Sequence, residues 1–303
     1  MIDFILWVLQ NIALAPYHVV MAVANPGAWL NWSDPEAMMR FIYYGASVEL
    51  FFVFLTTVIV ITGLGMAWKR EILWWAVRIL EGFANGVGRV AAWAGLLMVL
   101  QQVMIVFLQR IFRVAEIQLG PLGTAFSQDL SWWGEELKLY NALVVTLCVT
   151  YTYVQGGHVR VDLVYSAVRF RTKRIIDMAG SLLFMIPAMT ITYLYAWPFM
   201  WRHLITPSVT STGTLDRMLM QSRIVRWNVE TVGFSPNGFN AYFLFKVLIV
   251  LFCVMVMIQA VAVFWRSYLE WLEGEDSLDK HLDRDMTGDE AEDVEHMIHS
   301  GST

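Results

Sequence analysis

Two short segments stand out in this 303-residue chain for side chains whose order could serve chemistry. The first is SWWGEELKLYNALVVTLCVTY, residues 131–151, in which Glu135 and Glu136 open a long apolar run. Carboxylates in a first turn complement the positive end of the helix dipole. Trp132 and Trp133 stand where amphipathic rings settle at a lipid–water boundary. Capping and anchoring explain all four residues, and contact with a partner is the other use open to them. The second segment is YVQGGHVRVDLVYSAVRFRTKRIIDM, residues 153–178. Gly156 and Gly157 end the preceding helix. His158, Arg160 and Asp162 then alternate, which places them on one face of an extended backbone and lets Arg160 and Asp162 pair. A basic loop accounts for the charge but not for the order Gly-Gly-His-x-Arg-x-Asp.

Enzyme chemistry has little to work with. No G-x-S-x-G, H-E-x-x-H or G-x-x-x-x-G-K-[ST] occurs anywhere, so the usual nucleophile, zinc and phosphate sites are missing. Cys148 and Cys253 lie inside apolar runs, where a thiol behaves as a small hydrophobe. Among the six histidines, only His18 falls within a span candidate; His158 and His203 sit at segment ends, and His281, His296 and His299 sit in the tail. A membrane haem protein needs axial ligands at depth. No catalytic residue, resident cofactor or metal site is expected, and the chain does not read as an enzyme. The membrane anchor of a respiratory oxidoreductase is the alternative reading.

Charge at membrane depth costs about 2.5–3.5 kcal/mol at mid-helix. Glu49 is the deepest acid, well inside an apolar run. It either bonds a neighbouring helix or serves a site. Lys246 lies six residues into the last run, close enough to its end to snorkel outward. An ion-coupled carrier shows several intramembrane acids or broken helices meeting at the midplane. One deep acid does not make a transport site, although Glu49 and Lys246 together would be the place to look for one.

These residues are carried by a strongly apolar chain: 57% hydrophobic, 16% charged, mean hydropathy +0.53. Soluble domains carry about 25% charge, so the composition predicts an all-α, polytopic helical membrane bundle. A bilayer core about 30 Å thick takes about 20 apolar helical residues to cross. Five stretches qualify, at 41–67, 89–109, 135–155, 175–201 and 240–265. Residues 4–24 form a sixth span or lie in the interface, being uncharged but interrupted by Asn11, Pro16 and His18. With no Lys or Arg before Arg40, the amino end is not expected to be a cleavable signal peptide. Residues 72–86 pair Trp74 and Trp75 with Arg78 and Glu81, the pattern of an amphipathic helix lying on the membrane surface.

The net charge of −5 divides unevenly, because residues 271–303 hold eleven acids against Lys280 and Arg284. That acidic tail is expected to be mobile, with capping-box spacing at Thr287 and Glu290 for a short helix near 288–299. No clustered basic stripe for nucleic acid is present. Loops 68–89 and 156–174 hold nine Lys and Arg in 41 residues, against seven in 79 for loops 25–40, 110–134 and 202–239. The positive-inside rule then puts the C-terminus in the cytoplasm. Loop 202–239 faces outward and is long enough to carry structure of its own.

W-x-E-E-L at Trp133–Leu137, a following span, GGHVRVD at 156–162 and R-x-K-R at 171–174 resemble the small permease subunit, the Q subunit, of TRAP (tripartite ATP-independent periplasmic) transporters. Arg110, Ser235-Pro236-Asn237-Gly238, Lys246 and Gln259 are similar to residues around the family's spans. The usual Gly-Gly-Leu-Pro stands here as Gly238-Phe239-Asn240-Ala241. The resemblance covers about 88–266 and implies a four-helix core. Before it lies a membrane extension, 1–87, of one or two helices plus the amphipathic segment; after it lies the tail, 267–303. It further implies a multi-pass protein of the bacterial inner membrane. Its partners would be a large M subunit holding the sodium and substrate sites, a periplasmic solute-binding P protein, and lipid. Trp133, Glu135, Glu136, His158, Arg160, Asp162 and Lys246 would then contact partners or lipid.

Overall fold

Stretches free of charge decide where the long helices lie. The computed structural model describes residues 2–114, 116–119, 126–156, 168–210, 212–231, 237–278 and 280–283. Its helices are α1 (Ile2–Ala24), α2 (Gly27–Leu30), α3 (Pro35–Gly45), α4 (Val48–Ala67), α5 (Arg70–Phe107), α6 (Leu130–Val154), α7 (Phe170–Gly180), α8 (Ile186–Arg202), α9 (Leu215–Gln221) and α10 (Phe243–Glu273). A π-helical turn, Ser181–Met185, joins α7 to α8, and another, Leu108–Phe112, ends α5. Among the described residues six helical stretches, with Phe170–Arg202 counted as one, are long and apolar enough to cross a membrane, which makes this a multi-pass, helical membrane protein. In α10, Lys246 and Arg266 stand about 30 Å apart at 1.5 Å per residue, the thickness of a bilayer core. Glu49 and Lys69, and Arg89 and Arg110, bracket runs of the same length.

The bundle is organised around α10, which packs on α5, α6, α7 and α8. It buries Cys253, Ala260, Ala262 and Leu269 completely. The remaining long helices keep broad apolar faces outward: Val90, Trp93 and Phe107 of α5 are 73%, 65% and 51% exposed. Such a surface suits lipid rather than water. Small residues set the closest approaches. A Cβ on Gly88 of α5 would lie 2.1 Å from Tyr151 Cβ of α6, and one on Gly65 of α4 would lie 2.3 Å from Leu73 Cγ of α5.

Two expectations are corrected. The run 41–67 is not one helix; it breaks at Ala46 and Ser47 into α3 and α4. Ser47 Oγ accepts the Leu50 N–H at 3.2 Å, starting a new helix. The carbonyls orphaned at the end of α3 are taken up by α8. Tyr193 donates to Gly45 O and the Trp197 indole donates to Ile42 O, both at 2.8 Å. A side chain at Gly45 would meet the Trp197 ring at 2.3 Å. Glu49 consequently sits in the first turn of α4 rather than deep in a span.

The second correction concerns residues 72–86, which are no separate surface helix. They form the first half of α5, a 38-residue helix about 57 Å long. Their apolar stripe, Leu73, Trp74 and Val77, packs on Val261, Trp265 and Leu269 of α10 instead of on lipid. Trp265 Nε1 also donates to Thr62 Oγ1 of α4 at 2.8 Å.

The other elements follow their local chemistry. Residues 4–24 are helical throughout, within α1, and continue past Pro16, with Trp7 edge-on to Phe52 of α4 at 5.4 Å. Asp34 caps α3 by accepting the Glu36 N–H, and Pro35 supplies its first residue. Helix α6 starts at Leu130, with Asp129 before it, so Glu135 and Glu136 stand in its second turn and not, as expected, in its first. It stops at Val154, and Gly156 takes a φ of 76°, as the Gly-Gly pair predicts. Antiparallel strands β1 (Glu116–Leu119) and β2 (Phe126–Asp129) precede α6. Strands β3 (Ile205–Thr206) and β4 (Arg226–Trp227) pair within the long loop. That loop folds over the ends of α3 and α8, burying Ile205, Val209 and Met218 on Met38, Met39 and Trp201. The helix expected near 288–299 lies outside the described residues.

Candidate functional site

Charged and polar side chains gather in two bands, one at each end of the long helices. The Lys246 band contains most of the residues singled out in the sequence. Glu135 Oε2 accepts the Phe239 N–H at 2.9 Å and so fixes the chain just before α10. Gln101 of α5 donates to Trp133 O at 3.0 Å and to Glu136 Oε2 at 3.1 Å. Trp132 lies edge-on to Phe239 at 5.4 Å. Asn237 Nδ2 donates to Asp129 Oδ2 at 2.6 Å. Burial, and after it the Glu135 carboxylate, raises the pKa of the nearby Tyr242 phenol.

Lys246 reaches the end of its helix, as snorkelling predicts, but its ammonium is held there by Glu230 from the long loop. It also sits 5.5 Å above the Phe199 ring. His203 Nε2 lies 4.0 Å from the same Glu230 oxygen. These contacts pin the loop to α8 and α10. His158, Arg160 and Asp162 lie outside the described residues.

The opposite band was not visible as a site in the sequence. Arg266 of α10 donates to Glu81 of α5 from Nε at 2.6 Å, and its Nη2 meets the other carboxylate oxygen. Arg266 Nη1 also lies 3.6 Å from Glu270 Oε1, and Glu270 Oε2 lies 2.8 Å from Arg174 Nε of α7. Arg174 Nη1 meets Asp177 at 3.2 Å. Glu81 and Glu270 are only 4% and 2% exposed, so this chain of ion pairs joins α5, α7 and α10 out of water. Arg266 and Lys280 both stand over the Trp74 ring, whose Nε1 donates to Glu273 at 2.9 Å. Beyond α10 the chain returns to α5 and α6. Asn85 donates to Asp283 O at 2.7 Å, Gln155 donates to the same oxygen at 3.1 Å, and Arg89 pairs with the Asp283 carboxylate at 3.1 Å. The local signals were Arg266–Glu270 and Arg174–Asp177, at helical spacing. Glu81 gave none, because its partner is 185 residues away.

Two clefts open on the side of the bundle. One of about 370 Å³ runs along α8 past Thr192, Tyr195, Phe199 and Ile249. The other, of about 630 Å³, lies at the α3–α4 break and is lined by Glu49. Glu49 lines only the second of these, and Lys246 lines neither. Among the described residues, no group of three or more His, Cys, Asp or Glu is placed to hold a metal ion. Of the described histidines, His18 lies on α1, His203 at the end of α8 and His281 beyond α10. In comparisons with protein families, curated proteins and solved structures, no family model, protein or structure matches the chain.

Proposed function

We propose that the chain is the small, non-catalytic permease subunit of a TRAP transporter. It is a fixed scaffold of the bacterial inner membrane with its C-terminus in the cytoplasm. The observation that carries this reading is how the W-x-E-E-L carboxylates are used. Glu135 and Glu136 fasten α6 to the start of α10 and to α5, and neither lines the two clefts described above. Buried ion pairs at the other end likewise tie helices together. The GGHVRVD segment and the R-x-K-R run add the family pattern.

In this account a larger M subunit carries the sodium and substrate sites, and a periplasmic P protein delivers an organic acid or a related solute. The apolar outer faces of the helices meet M and lipid. The positive-inside rule puts the Arg266 band on the cytoplasmic side and the Lys246 band, with its loop, toward P. Co-expression with a large hydrophobic protein and a secreted receptor encoded alongside tests the reading. A stable complex whose sodium-driven uptake needs all three chains supports it. Failure of the membrane pair to associate, or a haem Soret band in the purified protein, contradicts it.

A further inference from the structure

Among the described residues lining the 630 Å³ cleft, Glu49 carries the only formal charge. Among the described residues no hydrogen bond or ion pair holds Glu49. Glu49 therefore lines the cleft with no counter-charge beside it, in the first turn of α4.

The rest of the wall offers acceptors and rings. Thr210 and Thr212 contribute hydroxyls. Pro198 has no N–H to give the Leu194 carbonyl one turn back, and both residues line the cleft. Trp197 and Tyr195 supply aromatic faces, which attract cations. Separated acceptors around one carboxylate suit a group with several N–H donors, which a primary ammonium has.

The cleft also opens to the apolar exterior. Ile191 and Tyr195 of its wall are 58% and 70% exposed. Tyr195 and Pro198 are shared with the smaller cleft, which continues along α8 over Phe199 and Ile249. Apart from Thr192 and Arg202 that stretch of wall is apolar or aromatic, the kind of surface an acyl chain lies on.

We propose that the Glu49 cleft binds a primary ammonium group, supplied by the headgroup of an aminophospholipid. This site does not depend on the transporter reading, and either can fail alone. Native mass spectrometry of the full chain, released from detergent with phosphatidylethanolamine or phosphatidylcholine, reads the site directly. Phosphatidylethanolamine should be retained about tenfold better than phosphatidylcholine. Glu49→Gln should remove that preference, the loss expected for one charge-assisted contact. Thr212→Ala, which leaves Glu49 and the Ser47 cap in place, should weaken retention without disturbing the fold. Displacement by free ethanolamine at equal concentration would keep the ammonium site but make its ligand soluble. Equal retention of both lipids, or unchanged retention in Glu49→Gln, overturns the proposal.

Discussion

Arg266 grips Glu81 through two guanidinium nitrogens, joining helices α10 and α5 at a point where the carboxylate is 4% exposed. Breaking a buried pair from one side leaves the other charge uncompensated, at about 3–5 kcal/mol. Glu81→Gln or Arg266→Met should therefore lower the unfolding midpoint of the detergent-solubilised protein markedly. Glu81→Met with Arg266→Met should recover much of the loss, since packed apolar groups replace such pairs well. A thermal melt followed by tryptophan fluorescence checks the set. Equal destabilisation by the single and double variants would contradict it.

The α5–α6 contact depends on the absence of a side chain at residue 88. A methyl group there would overlap Tyr151 Cβ at 2.1 Å, whereas one at Gly86 meets nothing within 4 Å. Gly88→Ala should destabilise by about 1–3 kcal/mol through overpacking. Gly86→Ala should be neutral or stabilising by up to about 1 kcal/mol, because alanine is the better helix former. Melting curves of the two variants should shift in opposite directions or differ clearly in size.

Glu135 fixes the segment before α10 through one charge-assisted hydrogen bond to Phe239. Contacts of this kind contribute about 1.5–3 kcal/mol. Glu135→Ala should speed amide exchange at Phe239 while leaving the middle of α10 protected. Hydrogen exchange by mass spectrometry reads both regions in one experiment.

The two bands determine which residues share a side of the membrane, and the proposed orientation says which side that is. Asn31 and Ser33 precede α3 at the Lys246 end, whereas residues 280–283 lie against Asn85 and Arg89 at the other. Asn31→Cys and Ser33→Cys should react with an impermeant maleimide added to whole cells stripped of the outer membrane. Lys280→Cys should react only after lysis.

Much of the bundle was legible in advance because charge-free runs of bilayer length are a physical requirement, not a family trait. The last run, from Lys246 to Arg266, could be read from charge alone. The break at Ser47 was hidden, since Gly45, Ala46 and Ser47 barely interrupt hydropathy. It depends on caps from Tyr193 and Trp197, residues far along the chain. Trp74 and Trp75 beside Arg78 and Glu81 suggested a membrane surface, because periodicity reveals an apolar stripe without naming what covers it. Here α10 covers it. The spacing suggests that Glu135 and Glu136 open their helix, but α6 starts five residues earlier, at Leu130, and their partners Phe239 and Gln101 could not be read from spacing. The ion-pair chain at the opposite end was invisible for the same reason, as Glu81 and Arg174 meet α10 only in the folded bundle.

We propose that this protein braces a transporter without moving solute itself. Purified protein reconstituted alone in sealed vesicles, under an inward sodium gradient and with radiolabelled organic acids outside, tests it most directly. The account predicts uptake no greater than that of empty vesicles, with accumulation appearing only when the large membrane partner and the solute receptor are added. Sodium-driven accumulation by the lone chain would contradict it.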